Sequence, residues 1–236
     1  MVRGEIRYTS KKPHMLDQER GREQFSFTRY ADGSITLRAH CQIDEPEPTV
    51  ARDIVYSMDA KDRPLDCFVR LMVGGVFMGA GLFRMFDDRI ECESFGPAIG
   101  RISQSVDTTG FYDGFGTHPI VADAYMTRQI DVSRGPHKRE MRCFVPSADH
   151  RGASAPLIAE TRLFLAYLGD ETATTAAGQF DCRRFRFSDE NGGMVTADGA
   201  HPPYDFWVTA DDDAIFVKGG VGGYMQTWYE LVRLER

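Results

Sequence analysis

No stretch of the chain approaches the roughly 18 apolar residues that cross a bilayer as a helix. Positive charge is not in excess either: 28 lysines and arginines face 35 aspartates and glutamates, a net charge of −7. Nucleic acid and anionic membrane therefore meet no global attractive field, and neither is expected as a partner. Cysteine is sparse, with Cys41, Cys67, Cys92, Cys143 and Cys182 scattered singly among 236 residues. An odd number excludes a complete internal disulfide framework, and without CxxC or a Cys/His cluster no zinc shell is encoded. The thiols read as reduced core residues; Cys143, next to Arg142 and near His150, has the surroundings that best suit a reactive one. GxSxG, GxxxxGK[ST] and a helix-opening GxGxxG are all missing, so a hydrolase elbow and the two standard phosphate cradles are unsupported. The first residues are polar and charged, with no apolar segment of the secretory kind, which gives the expectation of a cytoplasmic protein.

What the chain does have is alternation. Ile35, Leu37, Ala39, Cys41 and Ile43 share one face, while Thr36, Arg38, His40 and Gln42 share the other. Strict period two is the mark of a half-buried strand. Ala31-Asp32-Gly33-Ser34 before it reads as a hairpin turn, with Phe25 and Phe27 on the preceding strand. Leu65, Cys67, Val69, Leu71 and Val73 repeat the pattern, and Gly74-Gly75 turns the chain into Val76–Phe86. That strand carries Gly79 and Gly81, which suggests a bend, a bulge or the close approach of a ligand. Further strands are expected to residue 106 and again from residue 141 to 233. Lys218-Gly219-Gly220-Val221-Gly222-Gly223 lies between two of them and reads as a wide turn or bulge.

The periodicity changes at Thr117–Asp131. Thr117 suits an N-cap, Pro119 a first turn, and Ile120, Val121, Ala124, Tyr125 and Ile130 fall on one helical stripe. The organisation expected is a flexible arm over residues 1–21 and a single antiparallel β domain over residues 22–236. The fold class is mainly β, an antiparallel barrel or half-barrel with one main helix.

Ala177-Gly178-Gln179-Phe180-Asp181-Cys182 resembles the "AGTFD" strand entry of a bacterial family of unknown function. Phe206-Trp207-Val208-Thr209, followed by an acidic turn and Ile215-Phe216-Val217-Lys218, is similar to that family's "FWVS" hairpin. Tyr30-Ala31-Asp32-Gly33-Ser34 and Leu65-Asp66 are similar to it as well. The resemblance implies an antiparallel, lipocalin-like half-barrel of the lipoprotein-carrier shape. It supplies no catalytic residues, and the middle segment, Gly114–Pro156, has no counterpart in it.

Three histidine-bearing segments hold the polar candidates. Gly116-Thr117-His118-Pro119 precedes the helix, Asp123 lies on it, Asp149-His150-Arg151-Gly152 forms a loop, and His201-Pro202-Pro203-Tyr204 enters a strand. Histidine titrates nearest neutrality, arginine grips a carboxylate with two prongs, and tyrosine can donate a proton or steady an oxyanion. His150, His118, Asp123, Tyr204 and His201 are the catalytic candidates. Here a histidine is acid or base, Asp123 orients it and Tyr204 donates. Arg151 is expected to bind an anionic group, and Tyr224, Trp228, Phe77 and Phe83 to line an apolar pocket. Each has a plainer reading: a helix cap for His118, a surface turn for the Arg151 loop, core packing for the aromatics. No spacing among these histidines encodes a metal site, and no cofactor is expected.

Taken together, the residues point first to a cofactor-independent lyase or isomerase working by proton transfer on an apolar or aromatic, oxygenated small molecule. The alternative is a cytoplasmic carrier or sensor of hydrophobic molecules, which needs the barrel but no titrating cluster. An oligomer built from exposed strands is a third reading. The first two part on one spatial point: whether the histidines, Asp123 and Arg151 meet in one cavity.

Overall fold

The computed structural model describes residues 1–108, 112–149, 151–189 and 201–236. Eight strands form the first half: β1 (Val2–Ser10), β2 (Glu19–Arg29), β3 (Ile35–Ile43), β4 (Val50–Met58), β5 (Pro64–Val73), β6 (Val76–Met85), β7 (Arg89–Gly96) and β8 (Gly100–Asp107). Seven form the second: β9 (Gly114–Phe115), β10 (His137–Val145), β11 (Ala159–Thr175), β12 (Gly178–Ser188), β13 (Tyr204–Thr209), β14 (Phe216–Val221) and β15 (Thr227–Glu235). All lie in one sheet ordered β8 through β1, then β15 back through β9. The two meanders join where β15 pairs with β1. Every pairing is antiparallel except that of the two-residue β9 with β10.

Turn chemistry sets this register. Asp32 Oδ1 accepts from the Ser34 amide at 2.9 Å and hydroxyl at 2.6 Å, and Gly33 takes φ +84°. Gly74 and Gly75, at φ +58° and +76°, make the two-residue turn between Val73 and Val76.

The sheet curls around its inner face without closing. Phe115 of β9 meets Phe83 of β6 at 5.3 Å and Tyr56 of β4 at 6.3 Å between ring centroids, so the two meanders share one core. The expected mainly antiparallel, barrel-like architecture is thus present.

The expected arm is a correction. Residues 2–10 form β1, hydrogen-bonded on one side to β2 and on the other to β15. Ile6, Tyr8 and Ser10 point inward, while Arg3, Glu5 and Arg7 carry the outer face. The outward charges hide the alternation in a sequence reading. The expected helix is present but shorter. It runs from Ile120 to Gln129 as a 3₁₀ turn, the α-helical turn α1 (Asp123–Met126) and a second 3₁₀ turn. Val121, Ala122, Ala124, Tyr125 and Met126 are buried, with Tyr125 edge-on to Phe27 at 5.2 Å. The middle segment is therefore the stuffing of the curled sheet.

The glycines of β6 admit another part of that segment. A Cβ on Gly79 would lie 3.0 Å from Pro156 Cδ, and one on Gly81 2.9 Å from Pro156 Cβ. Ser94 on β7 donates to the Pro156 carbonyl at 2.6 Å. What approaches the strand closely is this chain's own strap, not a ligand.

Candidate active site

A cavity of about 220 Å³ lies between the inner face of the sheet and the helical stretch. Of the residues singled out from sequence, His118, Asp123, Arg151, His201 and Tyr204 all line it. They arrive from four places: the turn before the helix, α1, the loop after β10, and the entry to β13. His150 lies outside the described residues. His118 has φ +70°, a left-handed conformation that a side chain other than glycine adopts at a cost.

The apolar candidates fare differently. Phe83 is fully buried but packs in the core against Phe115, away from the cavity lining. Phe77 lies on the outer face, under the Arg70 guanidinium at 4.6 Å and beside Phe95. A register shift between Leu71 and Met72 breaks the parity that put it with Phe83. Trp228 also faces outward, against Trp207 in a small second cluster. Tyr224 sits in the turn before β15 and does not line the cavity. The aromatic lining is instead Tyr8, Tyr204, Tyr229 and Phe187.

Behind the lining is a carboxyl pair. Glu23 is wholly buried on β2. Its carboxylate accepts from the Tyr8 hydroxyl at 2.6 Å and from the amides of Ile120 and Val121 at 2.8 and 3.0 Å. Those two amides are open donors of the helix start, so Glu23 performs, from across the interior, the capping expected of Thr117. Burial lifts its carboxyl to about 7, and the Tyr8 hydroxyl, the two amides and the nearby Arg52 charge hold it from rising further. Asp123 is pushed well above the ordinary carboxylate range, by burial first and then by the Glu23 charge, with the Tyr204 hydroxyl opposing. It keeps some accessible surface even so, and that surface faces the cavity. The Tyr204 hydroxyl is buried beside it, outside ordinary hydrogen-bond geometry. Cys143 also lines the cavity, but burial pushes its thiol up to about 12, so it carries no thiolate near neutrality.

The cavity also has arginines in its lining. Arg20 is buried, ion-paired with Glu45 at 3.3 Å and bonded to the Thr227 hydroxyl and the Glu45 carbonyl. Arg151 donates through Nη2 to the carbonyls of Pro46 at 2.5 Å and Pro48 at 3.1 Å. Arg52, on β4, is 1% exposed and donates through Nη2 to the Arg151 carbonyl. Burying a guanidinium costs several kcal/mol unless charge or hydrogen bonds compensate it.

Arg20, Glu23, Arg52 and Tyr8 were not visible as site residues from sequence. One signal was available. Val50, Arg52, Ile54, Tyr56 and Met58 form an inward stripe, as do Glu23, Phe25 and Phe27. A charge on an otherwise apolar period-two face is a buried charge, and buried charges concentrate where function is.

Among the described residues, no group of three or more histidine, cysteine or acidic side chains is arranged to hold a metal ion. These features define a mainly antiparallel, barrel-like protein whose interior carries a largely apolar cavity with charged and titratable side chains in its lining. No protein-family model and no curated protein matches the chain. Among solved structures, it is similar to a beta-barrel-like protein of Domain of Unknown Function DUF1849 from Brucella abortus. That likeness has a TM-score of 0.65 at 12% identity, over 99% of this chain and 96% of that one. A DUF1089 family protein from Pseudomonas aeruginosa aligns at a TM-score of 0.45 and 11% identity, over 86% of this chain and 91% of that one. The first likeness shows the fold, and with it the barrel-like shape that the sequence resemblance implied.

Proposed function

We propose that the cavity is the active site of a cofactor-independent lyase or isomerase acting on an apolar or aromatic, oxygenated small molecule. The observation that carries this reading is convergence: His118, Asp123, Arg151, His201 and Tyr204, from three separate stretches of the chain, line a single cavity. A carrier of hydrophobic molecules has no need of titrating groups there. Burial raises the Asp123 carboxyl well above its ordinary range, which makes it the candidate acid facing the cavity, with Tyr204 alongside as a hydroxyl donor. His118 and His201 supply bases whose ordinary range is near neutrality. Glu23 touches nothing in the cavity directly and is a positioning residue, fixing Tyr8 and the helix start that carries Asp123. The five thiols are all unpaired and buried, which favours the reducing interior of the cell as the site of action.

Proton transfer to carbon leaves a mark that does not require the true product to be known. Incubation in D₂O with a panel of aryl and alkyl keto acids, hydroxy acids and enones should give enzyme-dependent deuterium at carbon in at least one compound, read by ¹H NMR. Asp123→Asn should slow that exchange by two to four decades, the range for losing one acid–base group. Compounds that bind without any exchange would move the assignment to the carrier reading.

A further inference from the structure

Three arginines line the cavity, and their partners are unequal. Arg20 has the Glu45 carboxylate. Arg151 has two proline carbonyls, and its own backbone amide bonds Asp149 at 2.9 Å. Arg52 is the most buried of the three, and its Nη1 has no hydrogen-bond partner; Nε of Arg151 and of Arg20 have none either, but Arg20 Nε lies 3.3 Å from the Glu45 carboxylate. No carboxylate of the described residues lies within ion-pair distance of it. The loop makes room for this group. A Cβ at Gly152 would collide with Arg52 Nη2 and come within 2.8 Å of His118 Cδ2. Gly152 also has φ +60°, so both sterics and backbone favour glycine there. The bare turn thus leaves the Arg52 guanidinium and the His118 ring side by side on the cavity wall.

We infer that Arg52 is the anchor of an oxyanion subsite, and that the molecule taken up is an organic carboxylate or phosphate ester. Its charged group sits on Arg52 and its apolar body runs toward Tyr8, Tyr229 and Asp123. The unpartnered Nη1 is a charge-assisted donor for such a group, while Nη2 stays on the Arg151 carbonyl. Arg20 and Arg151, each already engaged, hold the strands and loop around it and add positive potential. This moves the anion anchor expected of Arg151 to Arg52 on β4, whose Nη2 holds the Arg151 carbonyl. The inference rests on the cavity being a small-molecule site, but not on any reaction taking place there.

The test is binding, which separates it from the exchange assay above. Isothermal titration calorimetry would use phenylacetate, octanoate and phenyl phosphate, each beside a counterpart lacking either the charge or the apolar body: phenylacetamide, octanamide and inorganic phosphate. At least one organic anion should bind at least tenfold more tightly than its uncharged amide. For phenyl phosphate the comparison with inorganic phosphate shows whether the apolar body contributes. Arg52→Gln should abolish that preference. Arg52→Lys, which keeps the charge and loses the fork, should retain part of it and guards against a Gln variant that fails to fold. Arg151→Ala should leave most of the preference in place. Amides binding as well as acids, a preference surviving in folded Arg52→Gln, or no anion binding at 10 mM would each overturn the inference. Binding lost equally in Arg151→Ala and Arg52→Gln would return the anchor to Arg151. If binding follows this pattern while no compound exchanges deuterium, the subsite stands and the enzyme reading fails.

Discussion

At the scale of single residues, Glu23 does two jobs with one carboxyl group. It orders Tyr8 on β1 and closes the open amides of the helical stretch, tying the wall of the cavity to its filling. Its burial has a thermodynamic consequence. The folded protein holds the Glu23 proton up to about 7, whereas the unfolded chain releases it near 4.5. Between those values the native state binds more protons, so stability is greatest below the lower value and falls as pH rises through the upper one. The span corresponds to on the order of 3 kcal/mol, and the raised Asp123 carboxyl pulls in the same direction. Glu23→Gln places a permanently neutral amide where the protonated acid stood. Urea denaturation at pH 5 and pH 8 should show the wild type losing stability between the two. The variant should lose roughly 2–3 kcal/mol less over the same interval. Parallel pH dependences in the two proteins would mean that Glu23 is ionised in the fold throughout.

At the scale of elements, the middle segment explains both the successes and the failures of sequence reading. Strands such as β3 and β5 were legible because each has one face on the core and one in water, and alternation is all that such a strand needs. β1 was missed because its outer face is charged and only Ile6 and Tyr8 mark the inner one. Phe77 was misassigned because one register shift exchanges the two faces of a strand, and a bulge leaves no sequence mark beyond a glycine nearby. The described polar candidates of the middle segment, His118, Asp123 and Arg151, line one cavity. Their charged partners Arg20, Glu23 and Arg52 lie on strands read only for their apolar positions. Pairing across the interior depends on how the sheet curls, which local pattern does not encode. The Gly79–Gly81 pair bears on how the filling is held. Gly81→Ala puts a methyl 2.9 Å from Pro156 Cβ and 3.2 Å from the Phe83 ring, so the strap or the strand must move. A cost of about 1–3 kcal/mol is expected, the usual range for overpacking. Amide exchange over residues 153–158 should quicken along with it. Gly222→Ala, where a Cβ meets nothing within 4 Å, should cost little. Equal effects at the two positions would deny the strap its role.

At the scale of the whole molecule, one continuous sheet turns its apolar face inward and is filled by its own connecting segment rather than by a second layer. The outer face keeps its charges and carries local pairings of its own, as where Asp205 bridges Arg184 and Arg186 between β13 and β12. The inner face is apolar except along the cavity. There the buried arginines and acids come from β2, β4, the helix and two loops at once, so the site exists only when both meanders are folded. Burial inside the sheet raises the carboxyls of Glu23 and Asp123 above the ordinary carboxylate range. Carboxyl ¹³C chemical shifts of Glu23 and Asp123, followed from pH 4 to pH 9 with Glu23→Gln and Asp123→Asn for assignment, test it directly. A Glu23 midpoint near 7 is expected, with the Asp123 carboxyl still protonated well above the ordinary carboxylate range. Midpoints at ordinary carboxylate values for both groups would contradict it, because they would place the cluster in water and not inside the sheet.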